Sequence, residues 1–263
     1  MTTRPGRPTD ALSSMPSTRP IAGSRCSRRS WLCGSVAAIP MVLTKQRAGS
    51  AQPQDSRAEQ ARSLGDEIEQ TLWQRILPAW YPRCLDRERG GFLESFSETW
   101  EPGPCPSKFL VYQARMTWVP AAVAVAGERQ RADFLQYCEH GFRFLADRMW
   151  DPRQGGFFDR TDPAGRPDLE SMPWKQLYSY AFGVYAAATT FQANGDHDAL
   201  QLAQDAFDWI DRHAHDSEHG GYFEHLHRDG QPVAIEPPDE PLGQGLPAIG
   251  RVGYKSMNAH IHM

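Results

Sequence analysis

The chain carries no surplus of charge of either sign. Its 28 Lys and Arg stand against 32 Asp and Glu, a net charge of -4 with a pI near 6.1. That balance leaves no basic footprint for nucleic acid, and no nucleic-acid partner is expected. Long apolar runs are missing as well. The one apolar stretch that stands out, Trp31 to Leu43, is 13 residues long, against the roughly 20 needed to span a bilayer. Cysteine is scarce. Of five, Cys26 and Cys33 lie in the N-terminal stretch, so Cys84, Cys105 and Cys138 allow at most one disulfide and match no zinc spacing. Cys84 and Cys105 are the easier pair to imagine, and ordinary thiols are the plainer expectation. No segment reads as a regular strand with a partner. What is there is globular: 40% hydrophobic, 11% aromatic and 23% charged residues can bury a core. A small molecule is the expected partner.

The N-terminal stretch has an order of its own. Ser27-Arg28-Arg29-Ser30-Trp31-Leu32 precedes the apolar run, and Ala48-Gly49-Ser50-Ala51 follows it. Paired arginines, a short uncharged run and a small-residue site resemble a twin-arginine export signal, removed after about Ala51. Residues 1–51 are therefore set apart from the fold and residues 52–263 taken as one domain, with no membrane anchor after removal and a periplasmic or extracellular location. A disordered basic leader with a chance Arg pair is the other reading.

A motif then occurs three times at a constant interval. Asp86-x3-Gly90-Gly91-Phe92-x-Glu94 is repeated as Asp151-x3-Gly155-Gly156-Phe157-x-Asp159 and as Asp216-x3-Gly220-Gly221-Tyr222-x-Glu224, each start 65 residues after the last. A period held without slippage signals one supersecondary unit used repeatedly. The Gly pair ends a helix and turns the chain, the aromatic opens a short extended arm, and the acid can tie that arm down.

Two kinds of helix lie between the turns. Leu64, Ile68, Leu72, Ile76 and Trp80 make a one-faced stripe, as do Phe134, Cys138, Phe142, Leu145 and Met149, and Ala199, Ala203, Phe207 and Ile210. Phe109 to Val125 and Trp174 to Ala188 are apolar nearly all round, which predicts burial on every side. Alternation of the two kinds implies concentric layers, amphipathic helices outside and apolar ones inside: an all-α chain of helix hairpins. A ring of six hairpins at 65 residues each needs roughly 390 residues. About 210 follow the leader, so about half a barrel is expected, and the stop at Met263 inside an uncapped apolar-faced helix reads as a fragment.

The inner helices share a register. Lys108, Lys175 and Lys255 align, and five and seven positions beyond them stand Gln113 and Arg115, Tyr180 and Phe182, His260 and His262. Polar groups near the start of apolar inner helices are expected to converge on one mouth of the ring.

These residues carry a resemblance. Gln113-Ala-Arg115-Met-Thr-Trp118, Lys175-x-x-Tyr178-x-Tyr180-Ala-Phe182, the Gly-Gly-Tyr222-Phe-Glu224 turn and Lys255-Ser-Met-Asn258-Ala-His260-Ile-His262 resemble the N-acylglucosamine 2-epimerase superfamily over about residues 64–263, with the last element closest to its cellobiose 2-epimerase branch. The resemblance implies an (α/α)6 barrel and cofactor-free, metal-free proton transfer at C2 of an open-chain aldose. A histidine removes the C2 proton and an enediolate is reprotonated, on the other face for epimerisation or at C1 for isomerisation. By resemblance His262 is an acid/base and Arg115 holds the enediolate; Tyr112, Trp118, Tyr178, Tyr180, Asn258 and His260 are the candidate substrate contacts. The family's histidine at position 180 is tyrosine here. A second catalytic histidine and a glutamate three places after His262 fall beyond residue 263, so 263 residues alone imply no catalytic activity.

Plainer readings stand beside these. Arg115 pairs with an acid or faces a substrate; Tyr112, Trp118 and Tyr178 stack on a sugar or fill core. His260 and His262 as a metal pair would point about 200° apart on a helix. His213, His215, His225 and His227 suit a helix C-terminus or a turn. An α/α-barrel glycoside hydrolase or lyase would need two carboxylates across a cleft, which Glu94, Asp159 and Glu224 supply less well than they supply turns. A degenerate carbohydrate-binding protein is the third alternative. Glu236 to Gly245 reads as a loop over the mouth or a solvated insertion.

Overall fold

A computed structural model describes residues 53–233 and 255–263, with side chains from residue 56. The leader and the Glu236–Gly245 loop lie outside the described residues. The chain runs through α1 (Pro53–Thr71), α2 (Leu77–Trp80), α3 (Leu110–Ala126), α4 (Arg131–Phe144), α5 (Leu177–Asn194), α6 (His197–Ala214) and α7 (Met257–His260). α3 packs on α4 and on α5, and α5 packs on α6. The layering follows from the side chains: α5 buries residues around its circumference, from Leu177 and Tyr180 to Ala186 and Ala187, whereas α6 buries one stripe through Ala199, Ala203 and Ile210. Phe207, expected in that stripe, is 47% exposed, and Trp209 takes the inward place.

The first stripe departs further. A π-helical turn, Leu72–Ile76, joins α1 to α2, and its extra residue shifts the register. Leu77 is buried while Ile76 is 48% exposed. Leu64 and Ile68 are also exposed, without apolar cover among the described residues.

Strands are present where the sequence shows no strand pattern. β1 (Lys108–Phe109) pairs antiparallel with β2 (Arg160–Thr161), and β3 (Lys175–Gln176) with β4 (His225–Leu226). Two residues are too few to leave a period-two alternation. Each ladder joins the entry to one inner helix with the arm of the next repeat. Backbone bonds complete the join: Leu110 N–H donates to Asp159 O, and Leu177 N–H to Glu224 O, both at 2.9 Å.

The repeated turn is built the same way three times. In each, the leading Asp accepts two backbone N–H bonds at Oδ1, Asp86 from Glu88 and Arg89, Asp151 from Arg153 and Gln154, Asp216 from Glu218 and His219. Both glycines take positive φ, between 65° and 83° across the three copies, a region that favours residues without a Cβ. The helix ends carry ordinary caps: Gly195 closes α5 at φ 73°, Asp196 accepts the Asp198 N–H at the start of α6, and Ser256 accepts that of Ala259 in α7. Cys84, Cys105 and Cys138 are free thiols, the first and last buried.

Candidate functional site

The three register lysines turn away from any cavity. Lys108 Nζ donates to Asp86 Oδ2 at 2.8 Å, Lys255 Nζ to Asp216 Oδ2 at 2.6 Å, and Lys175 Nζ lies 3.5 Å from Asp151 Oδ2. Each also donates to the carbonyl of the first glycine of its turn. The Lys255 ammonium holds Asp216 well below the usual carboxylate range. Burial opposes ionisation of Asp151, yet the Arg228 guanidinium and two amides bring it down to about 2. Burial lowers Lys175 to about 8 against the pull of Asp151.

Five residues beyond each lysine, the side chain clamps the turn. Gln113 accepts the Phe92 N–H and donates to the Phe92 carbonyl, both at 2.8 Å. His260 Nε2 accepts the Tyr222 N–H at 3.0 Å while Nδ1 donates to Ser256 O at 2.6 Å, which fixes the neutral tautomer. Tyr180 is 1% exposed, stacks on Trp209 at 5.2 Å and sets its hydroxyl against Gly156. Tyr180 and His260, expected at the substrate, thus belong to the scaffold: position five points toward the outer layer and the turn.

Seven residues beyond each lysine, the side chain faces the other way, toward a partly exposed cavity. Arg115, Phe182 and His262 meet in a cavity of about 360 Å³ that Trp118 and Tyr185 also line. The Arg115 guanidinium lies 4.2 Å from the Phe182 ring centroid, and the His262 ring lies 4.8 Å from the same centroid. Arg115 Nη2 donates to Tyr178 Oη at 3.3 Å, and Tyr178 is 5.6 Å from the His262 ring. Tyr185 Oη donates to the His262 carbonyl. Tyr185 was not singled out from the sequence. The signal was available, because Tyr185 stands ten places after Lys175 as Trp118 stands ten after Lys108. Asn258 is exposed one helical turn before His262 and lines neither interior cavity.

A second cavity of about 400 Å³ adjoins through Arg115 and is walled by Tyr112, Tyr178, Glu94, Asp159 and Gln176. Tyr112 Oη donates to the Leu93 carbonyl at 2.9 Å, which sets its ring in this wall. The acids here are occupied by helix entries. Glu94 Oε1 accepts from Phe109 N–H at 2.7 Å and from Gln113, and Asp159 Oδ2 accepts from Gln176 N–H at 2.6 Å. Burial raises Asp159 to about 7, and burial likewise raises Glu224 to about 7. Capping duty removes these acids from the open carboxylate pair a glycoside hydrolase needs. His225 is buried in β4 rather than placed at a helix end, and burial lowers it to about 4, so it is held neutral. A larger depression of about 490 Å³ lies between α4 and α6 on the outer face, far from any inner-helix side chain in its walls.

The chain is similar to proteins of known kind. Residues 90–236, more than half of it, match the family model for N-acylglucosamine 2-epimerase (GlcNAc 2-epimerase). It is 31% identical to a cellobiose 2-epimerase of Bacteroides fragilis over 201 residues, 76% of this chain and 48% of that protein. It is 30% identical to a cellobiose 2-epimerase of Ruminococcus albus over 199 residues, 75% of this chain and 46% of that one. The solved cellobiose 2-epimerase of Spirochaeta thermophila matches with a TM-score of 0.64 at 34% identity, over 76% of this chain and 46% of that one. The chain spans about half the length of the curated relatives it matches. Its two layers of helix hairpins are accordingly those of a partial (α/α)6 barrel, and the chain belongs to the N-acylglucosamine 2-epimerase family.

Proposed function

We propose that this chain contributes to a carbohydrate 2-epimerase or aldose-ketose isomerase in which His262 exchanges the C2 proton of an open-chain sugar and Arg115 stabilises the enediolate. The observation that carries the reading is the shared cavity: the imidazole and the guanidinium pack against the same Phe182 ring with Trp118 beside them. Loss of the C2 proton leaves two electrons in the C1–C2–O1 system, and the negative charge gathers on the former carbonyl oxygen. A guanidinium already held by Tyr178 and Phe182 needs no reorganisation to meet that charge. Imidazole suits the transfer because its ordinary pKa lies near neutral pH.

The test is exchange rather than net conversion, because epimerisation takes a second acid on the opposite face. In deuterated buffer, the protein with a complete barrel is expected to place deuterium at C2 of glucose, mannose, N-acetylglucosamine or cellobiose, read by NMR. His262→Asn and Arg115→Ala are expected to abolish it. Cleavage of cellobiose without exchange, or exchange that survives H262N, overturns the reading. The leader supports a location outside the cytoplasm, and replacing Arg28 and Arg29 by Lys is expected to retain the protein inside the cell.

A further inference from the structure

Glu94, Asp159 and Glu224 stand 65 residues apart as the acid of each repeated arm, and they differ in reach. The first two serve the inner helix that follows them. Glu94 Oε1 accepts the Phe109 N–H at 2.7 Å, and Asp159 Oδ2 accepts the Gln176 N–H at 2.6 Å. The helix before is served by backbone, since the Asp159 carbonyl accepts the Leu110 N–H. Glu224 repeats that backbone bond with Leu177 and adds another from its side chain. Its Oε1 accepts the Tyr178 N–H at 3.3 Å, in the first turn of the helix behind it. A helix start leaves such donors without an internal partner, and Gln176, at the cap of α5, makes no side-chain cap bond. The acid of the third arm therefore caps α5 from outside the helix.

On its other side the same carboxyl meets α7. The Ser256 side chain faces it and favours its charged form, while Oε2 meets no partner at hydrogen-bond geometry among the described residues. Ser256 Oγ in turn accepts the Ala259 N–H at 3.0 Å, and the Ala259 carbonyl accepts the His262 N–H at 3.1 Å. From α5, Tyr178 Oη accepts from Arg115 Nη2, and the Tyr178 ring lies 5.6 Å from that of His262. One carboxyl, 0% exposed, thus stands between the residue that holds Arg115 and the turn that bears His262. Burial raises it to about 7, so its neutral form is well populated at neutral pH and an amide of the same length is a close substitute.

We propose that Glu224 is a positioning residue for the Arg115 cavity, holding Tyr178, and through it Arg115, in register with the turn that bears His262. Glu224 lines neither interior cavity, so it acts through Tyr178 and Ser256 and not on a ligand. The inference rests on the proposed function for the chemistry of the two groups it aligns. Small displacements of such groups are costly, because transfer requires reacting atoms held close and in line.

Nuclear Overhauser contacts between the Tyr178 and His262 rings in the full chain, together with C2 deuterium exchange by the protein with a complete barrel, test it. Glu224→Ala is expected to lose those contacts and to lower kcat for exchange about ten-fold or more, with KM moved less than about three-fold. Glu224→Asp keeps the charge without the reach, as at Asp159, and is expected to lose the same contacts; it gives the readout should E224A not fold. Glu224→Gln keeps length and acceptor and is expected to recover most of both. The stack of Tyr180 on Trp209, behind the second turn, is expected to persist in all three. Ring contacts and kcat that survive E224A and E224D overturn the positioning role. So does a loss in E224Q equal to that in E224A, or a Tyr180–Trp209 contact that fades in step with the other, which would leave Glu224 a stability residue alone. Absence of exchange in the wild type sinks the chemistry, and the ring contacts then decide the positioning by themselves.

Discussion

Lys108 Nζ lies 2.8 Å from Asp86 Oδ2, with the lysine side chain fully buried and the aspartate 8% exposed. The pair joins the start of α3 to the turn before it. Removing one member leaves the other charge buried without a partner, and Lys108→Met is expected to cost about 3–5 kcal/mol in urea denaturation. Arg143→Ala breaks an exposed pair with Glu139 within α4 and is expected to cost under about 1 kcal/mol. Equal losses would show that the lysine is not a tie.

His260 offers a sharper separation of scaffold from chemistry. His260→Ala removes the acceptor for the Tyr222 N–H and is expected to lower stability by about 0.5–1.5 kcal/mol. His260→Gln supplies the amide that Gln113 uses at the equivalent place and is expected to recover a good part of that loss. Sugar affinity is expected to stay unchanged in H260Q. A calorimetric loss of affinity at full stability would return His260 to the substrate.

Glycine substitutions should rank by what stands beside them. A Cβ at Gly156 would collide with the Tyr180 hydroxyl and press on Trp209, while one at Gly220 meets open space. Both residues have positive φ, 76° and 70°. Gly220→Ala is expected to cost about 1 kcal/mol, for backbone strain alone. Gly156→Ala is expected to cost more than about 3 kcal/mol, since overpacking adds to that strain. Thermal unfolding of the two variants decides it.

Stability should respond to pH through Asp159. Its carboxyl, raised by burial to about 7 from an ordinary 3.8, keeps its proton in the fold where the unfolded chain has lost it. Between about pH 4 and pH 7 the native state therefore binds more protons, and this group's contribution falls as pH rises and levels off above 7. Glu224, raised to about 7 by burial, acts in the same direction; His225, lowered to about 4 by burial, acts oppositely between 4 and 6.5. Asp159→Asn removes one component. The difference in melting temperature, variant minus wild type, is expected to rise across that window, and a flat difference would contradict it.

The repeat and the layering were legible because both are one-dimensional: glycines at a constant interval and a contrast between one-faced and all-round apolar helices. That Arg115 and His262 face one cavity was legible for the same reason, through their distance from a lysine. The lysines themselves were aligned without their partners being evident, since Asp86 and Lys108 meet only when the turn folds back. The slip at Leu72–Ile76 was hidden because a π-turn changes hydrogen bonding without any residue that announces it. Tyr180 and His260 were misplaced because polarity marks a residue as needing a partner, and here the partner is the turn rather than a ligand.

Positions five and seven after each lysine diverge by about 200° around a helix. Gln113, Tyr180 and His260 occupy the first and Arg115, Phe182 and His262 the second, with no residue type in common among the three at either place. The residues that hold the turn and those that line the cavity are thereby written in separate columns. A substitution at position seven is expected to change what lines the cavity and leave the bend in place, and one at position five the reverse.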